Sequence, residues 1–319
     1  MAPQKKVEKT FFKKFVLYLI ILTVVLTPVQ IGLNKLGGIR LFAGNASILS
    51  DMDYIVDPNS PFYEAFTNSK RVNVMVLGVN DGMTDVIMIG SYDLKNQRVD
   101  VISVPRDTYY ERKGRSGASL KINAVYSSEG VIKTAEAVSD VLLGMPINYY
   151  AVVDYDDVRA IVDKMGGVPI YIEKRMKYTD IYDKPPLRID IPAGQQTLDG
   201  DKAVEYLRYR SGYAQADIGR VEAHHKFLEA AFAQALKSGI VDVSKVAMKK
   251  VESDLSLGTA TKLALKAATL SAEDMHTWTA PGRSKTINKL SYWLVDEEQT
   301  EDMISEMYSV SEEEGAGSE

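Results

Sequence analysis

The sequence predicts an α/β protein in which helices sandwich a mixed central β-sheet (α-β-α), preceded by one amino-terminal transmembrane helix. Three observations lead there. From residue 71 onward, short β-branched runs alternate with segments of helical periodicity, the pattern of a layered α/β core. An uncharged stretch covers residues 15–34, directly behind five lysines. Hydrophobic residues make up 45% of the 319-residue chain and charged residues 25%, which is enough apolar material for a buried core and too much charge for a multi-span membrane protein.

Residues 15–33, FVLYLIILTVVLTPVQIGL, would span ~28 Å as a helix at about 1.5 Å per residue, close to the apolar thickness of a bilayer. Lys5, Lys6, Lys9, Lys13 and Lys14 precede the span, and a mixed stretch with Lys35, Arg40, Asp51, Asp53 and Asp57 follows it. The positive-inside rule then keeps residues 1–14 in the cytoplasm and places the rest outside, as an uncleaved signal-anchor of the cell membrane. A cleaved signal peptide is the competing reading, but the small residues Gly44 and Ala46 lie well beyond the apolar run.

Gly37, Gly38, Gly44, Pro58 and Pro61 mark residues 34–70 as an extracytoplasmic linker, so the folded domain is expected over 71–310. Strands are expected at 72–79, 85–92 and 99–104, with DLKNQR turning the last two into a hairpin, and further strands at 151–155 and 168–172. Helical periodicity covers 131–143, 156–165, 201–207 and 218–237, then 261–270 and 297–308. Residues 178–193, rich in Pro and Asp, read as an irregular excursion with one short strand, and 277–293 as edge strands. The acidic end, 311–319, reads as disordered.

Charge excludes one class of partner. Ten acids and no bases follow Lys289, so a formal net charge of −5 leaves +5 upstream, most of it in the amino-terminal lysine cluster. Residues 15–289 are about neutral and lack the basic excess of a nucleic-acid binder. The absence of Cys excludes disulfides, thiolate zinc sites and a Cys nucleophile.

The chemistry-bearing residues sit beside breaks in regular structure. Arg106 and Asp107 directly follow a strand, at the carboxyl end where ligands of open α/β sheets commonly bind. Arg208 and Arg210, two apart, would diverge by about 200° on a continuing helix, so they share an anion only if the helix ends near Arg208, as Gly212 suggests. Asp217 stands where an amino-terminal cap belongs, and Arg220 and His224 follow at i and i+4 on one helix face. Three arginines and a helix amino terminus suit a phosphate, and several planar forks together suit a diphosphate. Asn80, Asp81 and Asp85, in the loop GVNDGMTD, offer hard oxygen donors for Mg²⁺, although an ordinary Asx turn at Gly82 accounts for the loop equally well. His225, adjacent to His224, points about 100° away and cannot chelate with it.

In this order, LGVNDGMTD, SVPRDTYY, KINAVYS, INYYAVVDYDDV, VDKMGGVPI, IPAGQQTLDGDKAVEYLRYRSG and ADIGRVEAHHKFL lie between Val72 and Leu228. Together they resemble the LytR-CpsA-Psr family of bacterial cell-envelope phosphotransferases, with a motif-bearing core over 72–237. The resemblance implies a magnesium-dependent transferase that moves a glycopolymer from a polyprenyl diphosphate carrier, held at the membrane lipid, onto peptidoglycan during cell wall biogenesis. It implies that Arg106, Lys121, Arg208, Arg210 and Arg220 bind the diphosphate, with His224 beside them, and that Asp217 orients the arginines. It implies Mg²⁺ on Asp85 and on the acid after the first strand's Gly, a position where this chain has Asn80 followed by Asp81. Asp107 and Asp85 are the two candidates for accepting the acceptor hydroxyl's proton. Met83 and His224 also depart from the family pattern, standing for an Arg and a Gln. Alternatives are a polyprenyl diphosphate phosphatase at the same site, and a noncatalytic envelope-binding or transcription-attenuator protein.

Overall fold

A computed structural model describes residues 60–80, 82–183, 186–210 and 216–308, without the side chains of 216–218. The expected cytoplasmic tail, the expected anchor and the acidic tail lie outside the described residues, as do Asp81 and the Asp217 side chain. Among the described residues no helix is long and apolar enough to cross a membrane.

The central sheet has six strands in the order β10-β3-β2-β1-β4-β9. In chain order they are β1 (Arg71–Asn80), β2 (Met83–Asp93), β3 (Arg98–Ser103), β4 (Tyr149–Val153), β9 (Glu252–Ser253) and β10 (Met275–Thr279). β1 and β2 form one hairpin and β2 and β3 another, while β4 joins β1 and β10 joins β3 in parallel. The sheet is therefore mixed, as expected. β1, β3, β4 and β10 all run the same way, so their carboxyl ends and the start of β2 share one edge.

One face of this sheet is covered by α2 (Asn123–Val141) and α8 (Glu297–Tyr308): Met75, Leu77, Ile89 and Ile102 pack with Val125, Val138, Met303 and Met307. The expected start of α2 at Val131 has a cause, because Gly130 sits at φ 83°, a left-handed conformation that splits the helix into two runs. Residues 123–129 form the earlier run. The expected linker also carries a helix near its end. In α1 (Tyr63–Asn68), Phe66 is buried in the same core and meets Tyr308 edge-on at 5.1 Å, so the packed unit begins upstream of Arg71.

A second core lies under two small antiparallel sheets: β5 (Val168–Ile172) with β8 (Gly194–Leu198), and β6 (Met176–Asp180) with β7 (Leu187–Ile191). Their buried Ile170, Ile172, Ile189 and Leu198 pack with α3 (Tyr155–Met165), α4 (Gly200–Arg208), α5 (Ala216–Ser238) and α6 (Ile240–Lys250). The segment expected to be irregular is thus largely a hairpin, because Met176, Ile189 and Ile191 alternate inward on both of its arms. Gly200 permits close docking of α4 on α3, since a Cβ there would lie 2.7 Å from the Arg159 carbonyl oxygen. Beyond α6, α7 (Leu257–Ala267) packs Ala267 near Tyr92 of the sheet, and β11 (Gly282–Ile287) pairs with β12 (Leu290–Val295) as a separate hairpin.

The first strand is pinned by a buried ion-pair network. Asp100 has no solvent exposure and accepts from Arg71 Nη1 at 2.8 Å, Arg98 Nη2 at 2.8 Å and Trp278 Nε1 at 2.9 Å. Arg71 also donates to Ser91 and to the Met307 carbonyl, tying β1, β2, β3 and α8 together. Removing one partner of such a network strands the other charge. Asp100→Leu is expected to destabilise the protein by about 3–5 kcal/mol. Urea unfolding measures this, and a loss within the error of the midpoint would show that Arg71 finds compensation elsewhere.

Candidate anion site

The candidate residues gather at the carboxyl edge of the sheet. Asp85, near the start of β2, carries the counter-charge: its Oδ1 lies 2.5 Å from Arg106 Nη1 and its Oδ2 lies 3.1 Å from Arg210 Nη2. The Asp85 backbone oxygen is 3.5 Å from Arg220 Nη2, a long contact. Arg106 arrives from the loop after β3, Arg210 from beyond the end of α4, and Arg220 from the first turns of α5. Three elements therefore converge on one residue.

Helix α4 does end at Arg208, because Tyr209 is extended at φ −67° and ψ 125°. Arg208 and Arg210 nevertheless take different carboxylates. Arg208 Nη2 lies 2.9 Å from Asp183 Oδ2, and its guanidinium sits 5.1 Å from the centroid of the Tyr155 ring. The neighbours Arg106 and Asp107 also face different partners. While Arg106 meets Asp85, Asp107 pairs with Lys121 at 3.0 Å, and the Lys121 ammonium lies 5.8 Å from the Tyr292 ring. That pairing lowers the availability of Asp107 as a base and of Lys121 as a phosphate ligand.

His224 is the clearest departure from expectation. It is only 5% exposed, and its Nε2 lies 3.0 Å from the Leu207 carbonyl, an acceptor, so Nε2 holds the proton and donates it there. Burial, with Arg220 nearby adding to it, pushes its pKa down to about 4. At neutral pH it is an uncharged clamp between α5 and the last turn of α4, with its donor committed to the backbone. His225 is half-buried, its Nε2 2.7 Å from Ser103 Oγ, and burial likewise lowers its pKa. The two histidines point apart as expected, each tying α5 to a different neighbour.

Between β2, the loop after β3 and α5 lies an open cleft lined by the apolar Val86, Met88 and Val221 and by Asp85, Arg106, Arg220 and His224. Guanidinium groups beside apolar side chains suit an anion carrying a hydrocarbon chain. A metal has fewer donors here. Among the described residues no three His, Cys, Asp or Glu side chains are grouped for an ion; of the expected metal ligands, Asp85, near the start of β2, and Asn80, at the end of β1, are described. These are hard oxygen donors that fit Mg²⁺ keeping several waters or sharing phosphate oxygens. Asp81 falls outside the described residues.

The family model for the LytR_cpsA_psr family matches residues 45–309. The chain belongs to this family. Two curated relatives are teichoic acid transferases. TagV of Bacillus subtilis (strain 168), named as a polyisoprenyl-teichoic acid–peptidoglycan teichoic acid transferase, is 29% identical over 57% of this chain, which spans about half (49%) of TagV. TagU of Bacillus anthracis, with the same activity in its name, is 27% identical over 69% of this chain and 74% of TagU. Among solved structures, B. subtilis TagV superposes with a TM-score of 0.63 at 23% identity over 76% of this chain and 98% of that one. A structure described as TagT bound to LI-WTA superposes with a TM-score of 0.61 at 18% identity, covering 76% and 91%. At these identities the superpositions establish the shared mixed α/β fold.

Two site residues escaped the sequence reading. Tyr155 opens the helix that follows the parallel strand β4, a position that strand direction could have flagged. Asp183, in a Pro-rich stretch, carried no signal.

The histidine clamp has a pH signature. Its folded pKa of about 4 lies below the unfolded value of about 6.5, so between these limits the unfolded chain binds the extra proton and stability falls with acid. From pH 7 to pH 5 the expected loss through His224 is about 2 kcal/mol. A glutamine amide at this position could still donate to the Leu207 carbonyl without titrating. His224→Gln should therefore keep the clamp and flatten the profile measured by urea unfolding; equal slopes in both proteins would show that His224 does not titrate this way.

Proposed function

We propose that this chain is a membrane-anchored, extracytoplasmic phosphotransferase that moves a glycopolymer from a polyprenyl diphosphate carrier onto peptidoglycan. The observation that carries the reading is the shared Asp85 carboxylate: Arg106 and Arg210 are held in place around an anion of this protein's own, with Arg220 and the apolar residues of the cleft alongside. The names of the curated relatives, which join a polyisoprenyl-linked polymer to peptidoglycan, support the same substrate class. The lysines before residues 15–33 support an outward-facing domain.

In the reaction, an acceptor hydroxyl attacks the phosphorus that bears the glycopolymer. The bond from that phosphorus to the bridging oxygen breaks, and polyprenyl monophosphate leaves with the bond's electron pair. Negative charge builds on the nonbridging and leaving oxygens. Arginines already oriented stabilise that charge without reorganising at the moment of reaction. The hydroxyl proton passes to a carboxylate, for which Asp85, paired with Arg106 and Arg210, and Asp107, paired with Lys121, are the two candidates. Mg²⁺, which Asp85 and Asn80 would hold, supplies further charge neutralisation at phosphate oxygens when bound.

Arg106→Ala and Arg210→Ala should each lower transfer of lipid-linked polymer to peptidoglycan by roughly a hundredfold, as for loss of a preorganised donor worth about 2–4 kcal/mol. Near-normal transfer by either folded variant would sink the shared-anion mechanism.

If Asp85 supplies the charged ligand and Asn80 a neutral amide oxygen, without Asp81 taking over, Mg²⁺ should bind weakly until a diphosphate adds oxygens. Calorimetry should show tighter Mg²⁺ binding when a diphosphate lipid analogue is present, and tighter binding without it in Asn80→Asp. Equal Mg²⁺ affinity in the wild type and Asp85→Ala, with analogue present, would place the metal elsewhere.

A further inference from the structure

The sequence motifs account for the arginines, yet they do not explain what orients Arg208, whose carboxylate partner is Asp183 rather than Asp85. Its guanidinium lies over the ring of Tyr155, 5.1 Å from the centroid, within the range where a cation is attracted to an aromatic face. Tyr155 opens α3 immediately beyond β4. β4 runs parallel to β1, so this junction lies at the same sheet edge as the loop after β3 and the start of β2. The Tyr155 backbone is fixed in turn: the Asp154 side chain accepts from Asp157 N at 2.8 Å, and Asp157 accepts from Asp154 N at 3.1 Å, a reciprocal capping box.

We propose that Tyr155 is a positioning residue of the anion site, its ring forming the platform that sets the plane of the Arg208 guanidinium toward the ligand. The inference rests on reading the site as one for a diphosphate. A planar guanidinium binds phosphate oxygens as a fork only when its plane is correctly set. An aromatic face below it fixes that plane and still leaves the edge N–H groups free to donate. Asp183, at 2.9 Å from Nη2, takes one of those donors and so marks the edge to which an incoming oxygen would bind. The phenol supports this placement. Burial raises its pKa, with Asp85 adding and Arg208, Arg210 and Arg220 opposing, so Tyr155 stays neutral and lies within the field of the whole cluster. The role belongs to the ring, and the hydroxyl is not required for it.

The full chain in detergent micelles, titrated calorimetrically with farnesyl diphosphate, tests the inference. Tyr155→Leu should weaken binding roughly tenfold, and Tyr155→Phe should recover most of the loss. In an Arg208→Ala background Tyr155→Leu should add less than about twofold, because both substitutions remove one shared interaction. Undiminished binding in Tyr155→Leu, a Tyr155→Phe as weak as Tyr155→Leu, or fully additive losses would each overturn it. A second readout does not depend on the ligand. The Arg208 Nε–H resonance, assigned by its disappearance in Arg208→Lys, should be shifted by the ring current in the wild type and Tyr155→Phe and should lose that shift in Tyr155→Leu. If the wild type bound no diphosphate, the proposed function would fall, while this resonance would still decide the role of Tyr155; an unshifted wild-type resonance would overturn it.

Discussion

Cationic side chains repel one another, and a site that assembles four guanidinium groups must neutralise some of that charge before any ligand arrives. Asp85 does so at the centre, one carboxylate oxygen to Arg106 and the other to Arg210. Asp183 does so at the periphery for Arg208. The side chain of Asp85 is only 16% exposed, where attraction between opposite charges is screened less than on an open surface. The sheet edge fits this requirement. Antiparallel pairing brings the start of β2 beside the carboxyl ends of β1 and β3, so the one acid and the first arginine meet through backbone register.

Much of the fold is legible in the sequence because its core strands and helices repeat their apolar residues at the right period. β1, β2, β3, β4 and β5 and most of the longer helices follow that rule. The rest is hidden for identifiable reasons. β8, GQQTL, has one fully buried apolar side chain, and it becomes a strand only by pairing with β5. β6 and β7 contain enough charge and proline nearby to resemble a loop, while their inward positions are apolar. α6 follows α5 after the single break at Gly239, φ 88°, and lies outside the expected helices, of which one ends at residue 237 and the next begins at 261. In the site, the arginines were readable because each stands next to a structural break. The partners of Arg208 were not, since Asp183 and Tyr155 reach it from 25 and 53 positions earlier in the chain.

The histidine pair illustrates a residue type whose role depends on burial. Lining a cleft of arginines, His224 resembles a ligand-binding or acid–base residue by position. With its pKa near 4 and its Nε2 donating to Leu207, it instead fixes where α4 ends. That end point determines whether Arg208 and Arg210 leave the helix on the site's side. An extended Tyr209 rotates Arg210 back toward Asp85, whereas one more helical turn would carry it away. Tyr206, whose hydroxyl donates to the Ala223 carbonyl at 3.2 Å, makes a second tie between the same two helices. Two buried side chains therefore hold the helix terminus on which two of the arginines depend.

The internal carboxylates also bear on which anions the site favours. An anion reaching Arg208 competes with Asp183, and one reaching Arg106 and Arg210 competes with Asp85. A monoanion gains at most one new pairing for each it displaces, so its net attraction is small. A diphosphate diester carries a negative charge on each phosphorus, a few ångströms apart, and can engage guanidinium groups on different elements at once. Its attached chain gains further from the apolar residues of the cleft, which a free phosphate cannot use. Asp85 need not leave when such a ligand binds, because a carboxylate offers about four lone-pair sites and can serve a guanidinium and a metal ion together. The same residue can then neutralise the arginines while the site is empty and help place cationic charge at the phosphates when it is filled.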